Sequence, residues 1–263
     1  MFVAALNFHT LLIHVNYNNV TVNNGPNFSQ LYSILYFKCP LFYYIIMPSS
    51  RIFSFNAKVG VTFDVSRVKS NCIESCFAKE YCYNEYGQEK INHLYQLKLN
   101  RNYNLVSSKR FVKSVKREIM RLNLGQLRIF SDGDIIYNNT DIAKIQLSNI
   151  FELCNSMNRK DFWITTRNQN ELFKFLSLGN TKPDNLNILL SVKKESLTNT
   201  FLNYCKSLKI QVSYVTDKKT ESNCKASTSK NKKSCYENNC NLCLSYDDKP
   251  RVWFIHGRGK GNF

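Results

Sequence analysis

The sequence predicts an α/β protein whose parallel sheet forms a partial (β/α) barrel, with a cysteine-rich loop near the C-terminal end. Short apolar and aromatic runs alternate with helical patterns from residue 51 onward, and this alternation is typical of parallel sheets with right-handed crossovers. One run, Leu186–Val192, is almost continuously apolar, as expected of a strand buried on both faces. A chain of 263 residues is also long enough to form such a barrel as one domain.

The predicted strands are short runs rich in Val, Ile, Leu and Phe, each bounded by polar or turn residues. The first is either a single strand or a hairpin around Gly60. In order, the predicted strands are Ile52–Val65, Gln126–Phe130, Asp161–Thr166, Leu186–Val192, Lys209–Val215 and Arg251–His256.

The predicted helices fill most of the intervals between these strands. They are Ile91–Leu99, 107–121, Asp141–Met157, Glu171–Leu178 and Glu195–Leu208. In the second helix the apolar residues recur at helical spacing, while lysine and arginine occupy the other positions. We therefore expect an amphipathic helix with a basic face.

Residues 1–50 differ in composition from the rest of the chain. They are rich in asparagine and aromatic residues and carry one charged side chain, Lys38. We expect an extension outside the fold, with the α/β metal-binding domain spanning 51–263. Met47 as the natural start and a weak membrane anchor are two alternatives. The apolar stretch Leu31–Met47 is shorter than the roughly 20 residues of a membrane span, so we expect no stable membrane association and a cytoplasmic location.

The charge of the chain favours acidic partners. Lysine and arginine number 36 against 19 acidic residues, which gives a formal net charge of +17. A charge of this sign makes nucleic acid a candidate partner, although it argues for association and not for specificity.

Seven of the ten cysteines fall into two local groups. Cys72, Cys76 and Cys82 lie directly after the first predicted strand, and Cys224, Cys235, Cys240 and Cys243 lie in the polar stretch before the last one. Grouped cysteines in a chain without a secretory signal are more typical of metal ligands than of disulfides. Thiolates select zinc, Cu(I) or iron–sulfur clusters, and the spacing leaves zinc and iron–sulfur open.

Polar residues follow several of the predicted strands and could form a site. Asp132 and Asp134 follow the second strand, and Arg167 follows the third. In parallel α/β folds the chemistry lies at the carboxyl ends of the strands. We therefore expect both cysteine groups and these three residues around one rim. Asp132 and Asp134 could orient a ligand or transfer a proton, while an ordinary Asp-Gly turn is the alternative.

The order of these motifs resembles the phage and plasmid family called gene product 88. The similar segments are Cys76-Phe-Ala-Lys79, Ser131-Asp-Gly-Asp134, Phe162-Trp-Ile-Thr-Thr-Arg167, the cysteines Cys235, Cys240 and Cys243, and Val252-Trp-Phe-Ile-His256. The resemblance spans roughly residues 51–263. It implies an architecture more than a reaction.

A second, weaker resemblance is to radical S-adenosylmethionine enzymes, which have a six-unit partial barrel and three cluster cysteines after the first strand. Those enzymes mostly use Cys-x3-Cys-x2-Cys, whereas this chain has x3 and then x5. The resemblance implies that Cys72, Cys76 and Cys82 hold an iron–sulfur cluster. It also implies that Asp132, Asp134 and Arg167 contact S-adenosylmethionine, and that the second cysteine group holds another metal.

Two functions are therefore expected from the sequence. The first is an iron–sulfur protein of phage or plasmid type, with radical S-adenosylmethionine chemistry as a hypothesis. The alternative is a non-catalytic zinc protein that binds nucleic acid through its basic helix and through the lysines between residues 218 and 233.

Overall fold

A seven-stranded sheet forms the centre of the fold, and its strands lie side by side in the order in which they occur along the chain. The computed structural model describes residues 50–56, 60–72, 93–216, 218–224, 240, 243 and 245–254, all within the unit Ser49–Phe263. The strands are β1 Ser54–Asn56, β2 Gly60–Phe63, β3 Gln126–Ile129, β4 Asp161–Thr166, β5 Leu186–Ser191, β6 Gln211–Thr216 and β7 Arg251–Phe254.

Five α-helices lie in the described part of the chain. They are α1 His93–Val106, α2 Phe111–Arg121, α3 Thr140–Asn155, α4 Gln169–Ser177 and α5 Asn199–Ser207. Short 3₁₀ turns at Lys194–Ser196 and Lys219–Glu221 precede α5 and follow β6. None of the helices described is long and apolar enough to cross a bilayer.

The connections between strands all run in one direction across the sheet. β1 and β2 form an antiparallel hairpin, and each strand from β2 to β7 is parallel to the next. Since parallel crossovers are right-handed, a sheet wound in consecutive order carries its crossover segments on one face. This is the winding of a barrel that has not closed, and the predicted fold class is confirmed.

The two faces of the sheet differ in chemistry because side chains alternate along each strand. One face is buried and apolar, and its residues include Val61, Phe63, Leu127, Ile129, Phe162, Ile164, Leu186, Ile188, Leu190, Val212 and Val252. This face packs on the helices: the rings of Phe63 and Phe111 meet edge to face with their centroids 5.3 Å apart.

The opposite face of the sheet is mostly polar, although it also carries the buried residues Trp163 and Leu189. Strand register places Thr62, Arg128, Thr165, Asn187, Ser191, Gln211, Ser213 and Arg251 at the alternate positions. Part of this face is covered by the segment that leads into β7. The Asn187 amide donates to the carbonyl oxygen of Cys243 at 2.9 Å, and the Gln211 amide donates to that of Lys249 at 3.4 Å.

The structure departs from the sequence-based boundaries mainly at α1. The predicted helix ended at Leu99, whereas α1 continues to Val106. Asn102 lies in this extension and is buried. Its amide donates to the carbonyl oxygens of Ile52 at 2.8 Å and Asp64 at 2.9 Å. These hydrogen bonds compensate for burying a polar side chain, so tertiary contacts extend the helix beyond its apolar pattern.

Candidate functional site at the carboxyl ends of the strands

A buried carboxylate that sequence motifs did not single out holds the first part of the rim together. Asp64 directly follows β2, and its Oδ1 accepts hydrogen bonds from the backbone amides of Ser131 at 2.7 Å and Asp132 at 3.0 Å. Its Oδ2 accepts from the Thr62 hydroxyl at 2.6 Å. Asp64 therefore fixes the start of the loop after β3. Its signal in the sequence was an acidic residue near the end of the Phe- and Val-rich run Ile52–Val65.

Asp132 lies at this rim beside α1. The Tyr95 hydroxyl donates to its Oδ2 at 2.6 Å, and its carbonyl oxygen accepts from the Val65 amide at 3.1 Å. Burial, together with the charges of Asp64 and Asp132, raises the pKa of Tyr95. The phenol therefore keeps its proton and remains a hydrogen-bond donor to Asp132. Sequence reasoning missed Tyr95 because an isolated tyrosine in a helix carries no motif.

Asp134 has a different environment from Asp132, although the two were predicted to act together. Its side chain is 2% exposed. Oδ1 accepts from the Ile135 amide at 2.8 Å and the Thr166 hydroxyl at 2.5 Å. Oδ2 accepts from the Arg167 amide at 2.8 Å and the Tyr137 hydroxyl at 3.0 Å. With these four hydrogen bonds, Asp134 ties the loop after β3 to the end of β4.

The charge state of Asp134 reflects two opposing effects. Burial raises the pKa of its carboxyl group, while the hydrogen bonds from Thr166 and Arg167 act in the opposite direction. All four hydrogen bonds come from protein donors, and the one from the Arg167 amide fixes the backbone of that residue. Contact of Asp134 with a ligand stays a prediction.

The seven predicted metal ligands are only partly within the described residues. Cys76, Cys82 and Cys235 lie outside them. Cys72 is buried in the loop that follows β2. This loop contacts the loop after β3, because the Tyr137 amide donates to the carbonyl oxygen of Ser70 at 3.0 Å. Cys72 is therefore on the carboxyl side of the sheet, as predicted.

Two described members of the second cysteine group, Cys224 and Cys243, each contact the second residue of a strand. The Cys224 amide donates to the carbonyl oxygen of Val252 at 3.3 Å, beside the edge strand β7. Cys243 contacts Asn187, the second residue of β5, through its carbonyl oxygen. The predicted rim position is wrong for Cys243, because the connection from β6 must return to the amino end of the sheet before β7 begins. In the described part of the chain no three His, Cys, Asp or Glu side chains are grouped as metal ligands.

Two other cysteines are core residues. Cys154 and Cys205 lie in α3 and α5 and are buried. Burial raises the pKa of both thiols, that of Cys205 to about 11. Thiols with a raised pKa are protonated at neutral pH, which makes them poor metal ligands.

A cleft of about 360 Å³ opens at the carboxyl ends of β4 and β5. Arg167 lines it, together with Tyr137 from the loop after β3 and Ser191 and Lys193 from the end of β5. Of the residues predicted to bind a cofactor, Arg167 is the one that this cleft includes.

Comparison with known families identifies the family of this chain. A sequence profile of the family described as gene product 88 matches residues 47–254. The chain belongs to the gene product 88 family. The matched range includes every described strand, and it takes in all seven predicted cysteine ligands and Asp132, Asp134 and Arg167. No curated protein and no solved structure is detectably similar to the chain.

Proposed function

We propose that this member of the gene product 88 family is a metalloprotein whose Cys72, Cys76 and Cys82 bind an iron–sulfur cluster at the carboxyl rim. The observation that carries the proposal is the consecutive order of the parallel strands β2–β7, with Cys72 on the loop after β2. In barrels wound in this order, the loops at the carboxyl ends of the strands carry the chemistry. The three cysteines fit an iron–sulfur cluster, because clustered thiolates are the ligands of such centres.

The rim supplies further groups for a polar cofactor, and we propose S-adenosylmethionine in that role. Asp132 is held by Tyr95 and could accept hydrogen bonds from an amine or hydroxyl. Arg167 could pair with a carboxylate, with Asp134 fixing its backbone. When bound, an iron–sulfur cluster would supply one electron for reductive cleavage of the cofactor. The second cysteine group, Cys224, Cys235, Cys240 and Cys243, would hold zinc or a further cluster.

The test is the metal and sulfide content of the full chain purified without oxygen. We expect a brown protein that contains iron and acid-labile sulfide. The Cys72→Ser variant should bind less iron. Cys205→Ser is the matched control, since it replaces an equally buried thiol in α5 and should retain the iron. Stoichiometric zinc without colour in the parent protein would refute the cluster.

A basic surface favours a second candidate, a zinc protein that binds nucleic acid. Exposed cations cover the outer side of α2 and the turn before it, namely Lys109, Arg110, Lys113, Lys116 and Arg117. Within α2 the acidic residue Glu118 pairs with Arg121 at 2.7 Å. The five exposed cations named above are not part of that ion pair. Rows of exposed cations bind phosphate backbones without sequence preference.

Oligonucleotide binding at several salt concentrations tests this candidate. If α2 binds phosphates, Lys113→Gln/Arg117→Gln should lower the affinity and reduce the slope of log K against log salt by about 1 to 2. Lys206→Gln/Lys209→Gln removes the same charge from two other exposed positions and should have little effect. Equal losses in both double variants would mean that net charge, and not α2, drives the binding.

A further inference from the structure

The cleft at the carboxyl ends of β4 and β5 has a positively charged lining. Arg167 follows β4 and Lys193 follows β5, and both line the cleft. The acidic residue in the lining, Glu171, is paired with Lys174 at 3.4 Å and accepts a hydrogen bond from the Thr140 hydroxyl at 3.1 Å. Helix α4 also begins here, and the N-terminus of a helix carries a partial positive charge.

A buried hydroxyl group in the cleft has no hydrogen-bond partner among the residues that the structure describes. Ser191 is the last residue of β5 and is 1% exposed, and its Oγ is the atom left unsatisfied. A buried polar group without a partner costs free energy and needs an explanation in a native structure. A ligand that accepts a hydrogen bond from Ser191 would provide one.

The Ser191 hydroxyl belongs to a row of polar side chains across the sheet. Ser191 pairs with Ser213 and Ser213 pairs with Arg251 in the register of the parallel strands. Ser213 is 0% exposed, and within the described part of the chain its hydroxyl also lacks a partner. Arg167 follows Thr166, the last residue of β4 that pairs with β5, and so comes level with Ser191. Two unsatisfied donors therefore lie between two guanidinium-bearing residues.

We propose that this cleft binds the oxyanion group of a small phosphate- or carboxylate-bearing molecule. Arg167 and Lys193 would supply the charge, and the Ser191 hydroxyl would donate a hydrogen bond to the oxyanion. The volume lies near the lower end of the 300–1,000 Å³ that is typical of small-molecule sites. The site shares Arg167 with the proposed cofactor site, but it does not rest on the cysteine centre after β2.

Calorimetric titration of the full chain with pyrophosphate, adenosine monophosphate and citrate tests the proposal, with adenosine as an uncharged reference. We expect saturable binding of at least one of the three anions and none of adenosine. Preference for pyrophosphate and the nucleotide over citrate would identify a phosphate group, and the reverse would identify carboxylates. Absence of binding by all three anions would overturn the proposal.

Variants locate the binding in the cleft. Ser191→Ala and Lys193→Gln should each lower the affinity for the anion by roughly tenfold, since each removes one interaction with a charged group. Ser191→Ala removes an unsatisfied hydroxyl, so it should fold as well as the parent protein. Lys209→Gln, an exposed lysine before the amino end of β6, is the charge-matched control. Unchanged affinity in Ser191→Ala, or an equal loss in Lys209→Gln, would refute the site.

The anion proposal and the metal proposal can fail separately. Metal content is measured on the same preparation before each titration. A zinc-containing or metal-free protein that binds pyrophosphate through Ser191 refutes the iron–sulfur cluster and supports the cleft. An iron-containing protein that binds none of the anions does the opposite.

Discussion

At the scale of single residues, Gly133 decides the shape of the loop after β3. Its φ is +77°, and a Cβ atom at this position would lie 2.3 Å from the carbonyl oxygen of Val65. Gly133→Ala would therefore combine left-handed backbone strain with a contact to backbone that cannot move aside. We expect a loss of about 3 kcal/mol in the free energy of unfolding, measured by urea denaturation.

Two other glycines separate the effect of backbone strain from the effect of the close contact. Gly179 has a φ of +86°, but a Cβ atom there would meet no described atom within 4 Å, so Gly179→Ala isolates the backbone strain and should cost about 1 kcal/mol. Gly125 is equally open among the described residues and has no positive φ, so Gly125→Ala should cost little. If Gly133→Ala lowered the free energy of unfolding no more than Gly179→Ala, the contact with Val65 would contribute nothing to the loss.

Asp134 is the second residue whose replacement should be costly. In Asp134→Asn, one oxygen becomes an amide donor that faces donors from Ile135 and Thr166 or from Arg167 and Tyr137. We expect the free energy of unfolding to fall by about 3 kcal/mol, measured by denaturant titration. Asp161→Asn replaces an exposed carboxylate at the start of β4 and should change stability by less than about 0.5 kcal/mol. Equal stability of the two variants would instead indicate a protonated Asp134, which an amide can imitate.

The sequence could point to the Ser131–Asp134 segment but could not divide the roles within it. Asp132 and Asp134 share a strand end and a turn motif, so sequence position treats them alike. What separates them are donors from elsewhere in the fold: Tyr95 from α1 for Asp132, and Thr166 and the Arg167 amide from β4 for Asp134. These partners are 32 or more residues away along the chain and follow from the folded structure alone.

At the scale of the elements, two asparagine caps offer a comparison of local and tertiary effects. Asn139 caps α3 through the Ile142 amide and is exposed. Asn168 caps α4 through the Glu171 amide, is buried, and also donates to the carbonyl oxygen of Ile136 at 2.8 Å. Asn139→Ala should cost about 1 kcal/mol, the usual loss for a cap. Asn168→Ala should cost about 1 to 2 kcal/mol more, because the buried carbonyl loses its donor.

Thermal unfolding of the two variants checks this expectation, and the cleft gives a second readout. Asn168 lines the cleft beside Arg167, so Asn168→Ala should also weaken anion binding, while Asn139→Ala should not. Similar losses of stability in both variants would mean that the contact between α4 and the loop after β3 contributes nothing beyond capping.

The elements were predictable where local patterning and burial agree. β4 was placed at its observed bounds, and β3 and β5 each end one residue earlier than predicted, because their apolar runs coincide with the buried face of the sheet. The end of α1 was not predictable, since a polar Asn102 continues the helix only by reaching carbonyl groups of Ile52 and Asp64. The position of Cys243 was likewise hidden, because the length of a loop does not reveal its path.

At the scale of the whole molecule, the winding of the sheet separates Cys72 of the first cysteine group from Cys243 of the second. Cys72 lies in the loop after β2, whereas Cys243 contacts Asn187 near the amino end of β5. These strands are three positions apart in the sheet, which corresponds to about 14 Å, and Asn187 lies about 13 Å below the carboxyl end of its strand. One metal ion with bonds of about 2.3 Å to sulfur cannot bridge such a gap.

If both groups bind metal, they should therefore do so independently. We expect Cys243→Ser to reduce the metal bound by the second group and to leave the iron of the first group unchanged, with Cys72→Ser showing the reverse. Elemental analysis of the two single variants and the double variant measures this directly. The losses should be additive, because sites this far apart and without shared ligands do not couple strongly. Loss of all metal in either single variant would mean that the two groups share one centre, contrary to the observed separation of Cys72 from Cys243.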